Sequence, residues 1–262
     1  MNIKKKFFLN NLVNKKRPIV CLTAYCKNIA NLVDQFADII LVGDSVGPIL
    51  YGFKSTREVS LDMMINHGKA VVNNSKNAIV IIDMPYGSYE KSKHLALKNA
   101  NLILKKTGAF GVKLEGGKEN SETIKYLVKN KINVMGHLGM LPQKIKNNQF
   151  KVYGKSDAEK KKFKRDAISL VNSGIFAIVI EATKEKLVNE IIKDINIPTL
   201  GIGASSNCSG QILVTEDILG LTNFNAKFVK KYIDLNKKIK SSIRKFSIDV
   251  KSKKYPQKKH LY

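Results

Sequence analysis

Six ionisable residues recur at one kind of place in this 262-residue chain: Asp44, Asp83, Lys113 with Glu115, His137 and Glu181. Each stands at or near the end of a short β-branched run, and in a parallel α/β barrel the C-terminal strand ends gather at one mouth. Taken singly, an acid in such a place more often caps the next helix or solvates a loop. Five successive runs ending alike weaken that explanation. Asp44, Asp83 and Glu115 offer three hard oxygen ligands, and three carboxylates brought together repel one another unless a cation neutralises them. No His/Cys cluster with the spacing of a zinc site is present. The oxygen-rich set therefore points to Mg2+ or a similar divalent ion, with positions left for water and a chelating substrate.

Lys113 and Glu115 are two residues apart, so strand alternation puts both on one face. The lysine would neutralise a substrate carboxylate or enolate oxygen, or form an internal salt bridge to a neighbouring acid; spacing alone leaves both open. His137, between Gly136 and Gly139, is either an auxiliary catalytic group or a packed, hydrogen-bonded imidazole. Glu181 closes the apolar run Ile178-Val179-Ile180, where burial would raise its pKa and suit it to act as a general base. In Gly43-Asp44-Ser45-Val46-Gly47, glycines flank an acid and a hydroxyl, as close backbone approach to a ligand would require. Gly201-x-Gly203 lacks the rest of a phosphate-binding fingerprint and is a weak signal.

The elements that would position these groups alternate regularly. Apolar runs lie at 18–23, 39–44, 78–83, 111–115, 132–137, 177–181 and 198–203, with a candidate eighth at 211–214. Between them, helical spacing is found around Ile29 to Phe36, over Leu61–Val72 and His94–Leu104, from Ser121 (read as an N-cap) to Val128, over Ala158–Asn172 and through Leu187–Ile192. Leu141 to Ser156 reads as irregular and polar. An open doubly wound sheet and a closed barrel both satisfy the alternation. Eight units of roughly 30 residues without a second domain favour a (β/α)8 TIM barrel. The expected organisation is one domain over 1–262, with a basic helical tail from about residue 226.

Composition narrows the partners. The net charge of +25 would attract phosphate whatever the fold. Yet only four of the 46 basic residues are arginine (Arg17, Arg57, Arg165, Arg244), and arginine favours base-edge readout and bidentate phosphate contact. The lysines are spread along the chain, with solvated faces absorbing them, so no specific nucleic-acid partner is expected. Three cysteines without framework spacing fit a reducing compartment. Met1 to Phe8 is basic, but its apolar run is too short for a signal peptide, and no stretch approaches the roughly 20 apolar residues of a membrane helix. The expectation is a soluble, cytoplasmic protein acting on small molecules, without a membrane partner.

The signatures Thr23-Ala24-Tyr25, Leu41-Val42-Gly43-Asp44-Ser45, Asp83-Met84-Pro85, Val112-Lys113-Leu114-Glu115-Gly116-Gly117, Gly136-His137-Leu138-Gly139, Glu181, Gly201-Ile202-Gly203-Ala204 and Gly210-Gln211-Ile212-Leu213-Val214 resemble, in order and spacing, the ketopantoate hydroxymethyltransferase family over nearly the whole length. The resemblance implies a barrel of the phosphoenolpyruvate/pyruvate-binding type, assembled as a homodecamer. It implies hydroxymethyl transfer from 5,10-methylenetetrahydrofolate, a co-substrate, to 3-methyl-2-oxobutanoate, giving 2-dehydropantoate on the route to pantothenate and coenzyme A. It places one Mg2+ per subunit on Asp44, Asp83 and Glu115, the oxo acid on Asp44, Ser45, Asp83 and Lys113, and the proton acceptor at Glu181. Departures from the family pattern lie in loops: a shorter Asn147-to-Val152 stretch, Gly154-Lys155 for Gly-Arg, and changes at 204–206 and 209–210. A related Mg-dependent oxo-acid lyase or mutase would use similar metal chemistry, but the usual cysteine-bearing loop has no clear counterpart. A basic nucleic-acid-binding protein would explain the charge but not the ionisable strand ends.

Overall fold

The computed structural model describes residues 17–145 and 150–262. The basic start Met1 to Phe8 and Asn147–Gln149 of the shortened loop lie outside them. The chain divides into two units, residues 1–213 and 214–262.

In the first unit every apolar run becomes a strand: β1 (Ile19–Thr23), β2 (Ile39–Val42), β3 (Ile79–Asp83), β4 (Gly111–Glu115), β5 (Val134–Gly139), β6 (Ala177–Glu181), β7 (Thr199–Ile202) and β8 (Gly210–Leu213). All neighbours pair in parallel, and β8 pairs with β1, closing the eight-stranded barrel. Period-two alternation sorts the side chains into two apolar sets. Ile19, Cys21, Ile39, Leu41, Ile79, Ile81, Phe110, Met135, Ala177, Val179, Leu200 and Ile212 form one buried cluster, which fills the barrel. The alternating residues, among them Ile40, Val42, Val80, Ile82, Val112, Leu114, Ile178 and Ile180, join the larger cluster that includes the helices. Fully burying each such side chain contributes roughly 1.5–3 kcal/mol.

The surrounding helices are α1 (Lys27–Val33), α2 (Leu61–Val72), α3 (Lys93–Thr107), α4 (Ser121–Lys129), α5 (Asp157–Asn172) and α6 (Glu185–Asp194). Hydroxyl caps start three of them: Ser60 accepts from the Met63 N–H, Ser92 from Leu95 and Ser156 from Glu159, each at 3.2 Å. Ser121 is not the cap expected of it. Asn120 takes that position after a short 3-10 turn, and the Ser121 hydroxyl donates back to the Lys118 carbonyl.

The second unit holds α7 (Thr215–Ile218) and α8 (Leu235–Lys251). The tail is irregular from 226 to 234 rather than helical, because Asp234, whose carboxylate accepts from the Lys237 N–H, starts the helix. Among the described residues no helix is long and apolar enough to cross a membrane.

Candidate active site

Strand parity carries the ionisable groups inward. Asp83 lies four residues beyond interior Ile79, His137 two beyond Met135, and Glu181 four beyond Ala177. The register sets Asp83 beside Lys113, Glu115 beside His137 and Gly139 beside Glu181. All five ionisable strand residues are buried. Asp44 is reached differently: it stands two residues past β2, in the turn that leads into a single π-helical turn at Gly47–Tyr51. Its backbone N–H donates to Asp83 Oδ2 at 3.1 Å. A Cβ on the preceding Gly43 would lie 2.8 Å from Ser45 Oγ and would press on that hydroxyl. Ser45 Oγ is held 2.7 Å from the hydroxyl of buried Tyr25.

The side chains form one connected set. Lys113 Nζ is 3.1 Å from Asp83 Oδ1, 4.0 Å from Glu115 Oε1 and 3.3 Å from His137 Nδ1. His137 spans the next gap, with Nδ1 3.5 Å from Glu115 Oε1 and Nε2 3.2 Å from Glu181 Oε2. That last contact is not an aligned hydrogen bond, because Nε2 has no partner that meets the angular requirement. Of the two readings open for Lys113, the salt bridge is present, and it leaves the ammonium among the carboxylates where a substrate oxygen would also lie.

Two features of the site carried no signal in the sequence. Gln143 falls in the stretch read as irregular, yet it is buried and joins three strand ends. Its Nε2 donates to Asp44 Oδ2 at 2.7 Å and to the Met84 carbonyl at 3.0 Å, and its backbone N–H donates to Glu115 Oε2 at 3.0 Å. The Tyr89 hydroxyl donates to Gln143 Oε1 at 2.7 Å and fixes the amide orientation. Immediately after Glu181, Ala182 adopts φ 45°, a left-handed conformation uncommon outside glycine.

Electrostatics follow from burying many charges together. Burial, then the charges of Asp83 and Glu115, push the Asp44 carboxyl well above its ordinary range, against Lys113 and the Gln143 hydrogen bond. Burial also raises Asp83, although Lys113 and the Asp44 N–H oppose it. Burial would raise Glu115 too, but hydrogen bonding to His137, the charges of His137 and Lys113 and the Gln143 N–H hold it below the usual value. For Lys113, burial disfavours the charge, and the charges of Asp83, Glu115 and Asp44 outweigh it, so its pKa is raised. Burial and Lys113 press His137 downward, whereas the adjacent carboxylates of Glu115 and Glu181 leave it above its ordinary value.

Four carboxyl groups thus face one lysine and one histidine, so that holding all four charged together is disfavoured without a further cation. Hard oxygens with surplus negative charge suit a divalent cation such as Mg2+. Among the described residues no group of three or more Asp, Glu, His or Cys side chains is arranged to hold a metal ion. An ion here would draw further ligands from water and substrate, as Mg2+ commonly does.

Fold and site together define a (β/α)8 barrel with a charged mouth, of the architecture found in the PEP mutase/isocitrate lyase superfamily. The 2,3-dimethylmalate lyase of that superfamily matches with a TM-score of 0.62 over 100% of this chain and 91% of its own, at 13% identity, which shows the fold alone. The chain belongs to the ketopantoate hydroxymethyltransferase family, whose model matches residues 6–258. A 3-methyl-2-oxobutanoate hydroxymethyltransferase of Rhizobium etli is 48% identical over 94% of this chain and 91% of its own length. One of Pelagibacter ubique is 48% identical over 96% and 98%. The chain is accordingly a transferase with a small-molecule substrate, and the lyase or mutase alternative is a relation of fold only.

Proposed function

We propose that this chain, a 3-methyl-2-oxobutanoate hydroxymethyltransferase by family, takes its one-carbon unit from 5,10-methylenetetrahydrofolate and forms 2-dehydropantoate for pantothenate and coenzyme A synthesis. The observation that carries this reading is the linked set Asp44–Asp83–Lys113–Glu115–His137–Glu181 at one end of the barrel. Asp44, Asp83 and Glu115 would hold Mg2+, one per subunit, and the ion when bound supplies Lewis-acid polarisation of the 2-oxo group. Asp44, Ser45, Asp83 and Lys113 bind the oxo acid. The Lys113 ammonium meets negative charge as it develops on the substrate oxygen. Glu181 takes the C3 proton on its carboxylate. His137 positions that carboxylate without locking it. The carbanionic C3 forms its bond to the one-carbon unit as both C–N bonds from that carbon to folate break. Water supplies the hydroxyl oxygen, and its protons with the one from C3 go to the hydroxyl and to the two nitrogens of departing tetrahydrofolate. The Gln143 amide orients Asp44 and keeps its second face occupied.

The chain is proposed to work as a homodecamer in the cytoplasm, a setting consistent with three unpaired cysteines.

The test is solvent-deuterium exchange at C3 of 3-methyl-2-oxobutanoate, followed by proton NMR without folate. Exchange is expected with Mg2+, to be abolished by EDTA and to slow by about 100-fold or more in Glu181→Gln. Exchange that persists undiminished in the variant would remove Glu181 from the proton-accepting role. No exchange under any condition, and none of the product when folate is added, would sink the reaction.

A further inference from the structure

Beside the mouth, outside the residues assigned to the reaction, lies an open cavity of about 580 Å³ lined by Lys155, Lys160, Lys184, Lys186, Leu187 and Glu190. Its size is within the range of small-molecule sites. Two loops that leave the C-terminal ends of β5 and β6 supply Lys155 and Lys184, and the helices that follow them, α5 and α6, supply Lys160, Lys186, Leu187 and Glu190. Lys184 follows Glu181 by three residues. The segment after β5 is fastened to the segment after β6 by a bridge between Tyr153 and Thr183. The Tyr153 N–H donates to the Ala182 carbonyl at 2.8 Å, and the Lys184 N–H donates to the Tyr153 carbonyl at 2.9 Å. The cavity wall is therefore continuous in backbone with the strand that carries the proposed base.

Of its four lysines only Lys160 holds an acid, Asp157, at 2.8 Å. Glu190 in the lining pairs with Lys164 at 2.7 Å, and neighbouring Glu159 with Lys151 at 2.7 Å. The Glu159 carboxylate also accepts from the Lys155 N–H, which sets the loop without neutralising the Lys155 ammonium. Among the described residues Lys155, Lys184 and Lys186 have no carboxylate partner. Three flexible ammonium groups around one cavity suit a chain of spaced anions better than a single planar one, which would call for arginine.

We propose that this lysine cradle holds the oligo-γ-glutamyl tail of the folate co-substrate, with the pterin end directed to the mouth. The proposal rests on the folate reading above and extends it. Tail carboxylates spaced along a flexible chain match separated lysines, and attachment at the cradle would raise the local concentration of the one-carbon donor beside Glu181.

The experiment compares KM for 5,10-methylenetetrahydrofolate carrying one glutamate and carrying five, in the unmodified enzyme and in the triple variant Lys155→Gln/Lys184→Gln/Lys186→Gln. Lys193→Gln serves as a lysine control outside the cradle. The pentaglutamate is expected to show a KM about tenfold lower in the unmodified enzyme and in the control, and the preference should collapse in the triple variant. Should the triple variant not fold, the same preference in the unmodified enzyme must fade as salt is raised. Equal KM values for the two forms, or a preference that survives the triple substitution, overturns the cradle. So does inorganic triphosphate competing equally against both forms, which would assign the site to phosphate ligands. Product formed without tail preference overturns the cradle alone. Absence of both product and C3 exchange in the unmodified enzyme overturns the reaction reading, and this proposal with it.

Discussion

A buried amide carries much of the order at the mouth. Gln143 donates from its side chain to Asp44 and from its backbone to Glu115, while Tyr89 donates to its oxygen. Gln143→Leu keeps the bulk and removes the donor, leaving Asp44 buried among like charges with one fewer hydrogen bond. The expected loss is about 1–3 kcal/mol of stability, measured by denaturant unfolding without metal, together with slower C3 exchange. A variant as stable and as active as the parent would show that the amide only fills space. Most of the candidate site was legible because strand alternation is a strict rule: once the runs are found, Asp83, Lys113, Glu115, His137 and Glu181 must share the interior. Gln143 and Tyr89 were not, because loops have no period to place them. Asp44 was found for a partly mistaken reason. It resembles a strand-end acid but reaches the site through the turn after β2.

Among the elements, β5 and β6 depend on each other at one residue. Gly139 has φ 95°, and a Cβ there would sit 2.0 Å from the Glu181 carbonyl oxygen. Gly139→Ala must therefore displace the end of β6, and with it Glu181. The expectation is a loss on the order of 2–4 kcal/mol in thermal or denaturant unfolding, and C3 exchange reduced along with it. Parental stability with parental exchange would mean that the two strand ends are not coupled. All eight strands were legible from their β-branched runs. The errors fell at boundaries, where local chemistry outweighs periodicity: a 3-10 turn moved the N-cap of α4 from Ser121 to Asn120, and Asp234 delayed the tail helix. The spacing of apolar residues in 226–234 imitates a helix that has no buried face to stabilise it.

On the scale of the whole molecule, α8 has no buried residue, and its apolar members Ile239, Ile243, Phe246 and Val250 are 45–63% exposed. Spaced by four, three and four, they lie along one side of the helix, a row that monomers rarely leave to water. The row suits association with another protein surface, and the number of copies is the part left to measurement. Sedimentation equilibrium should return about 290 kDa for ten chains of 29.3 kDa each. A mass near that of one chain at micromolar concentration would remove the decamer and leave the apolar row unexplained.

Closure of the barrel bears on the charge that dominates the composition. An open sheet exposes two edge strands whose free N–H and carbonyl groups invite pairing with other molecules, and proteins commonly blunt such edges with lysine. Here β1 is flanked by β2 and β8, and every strand has two neighbours. The native sheet presents no ladder on which an aggregate could grow, so the lysines have no edge to guard.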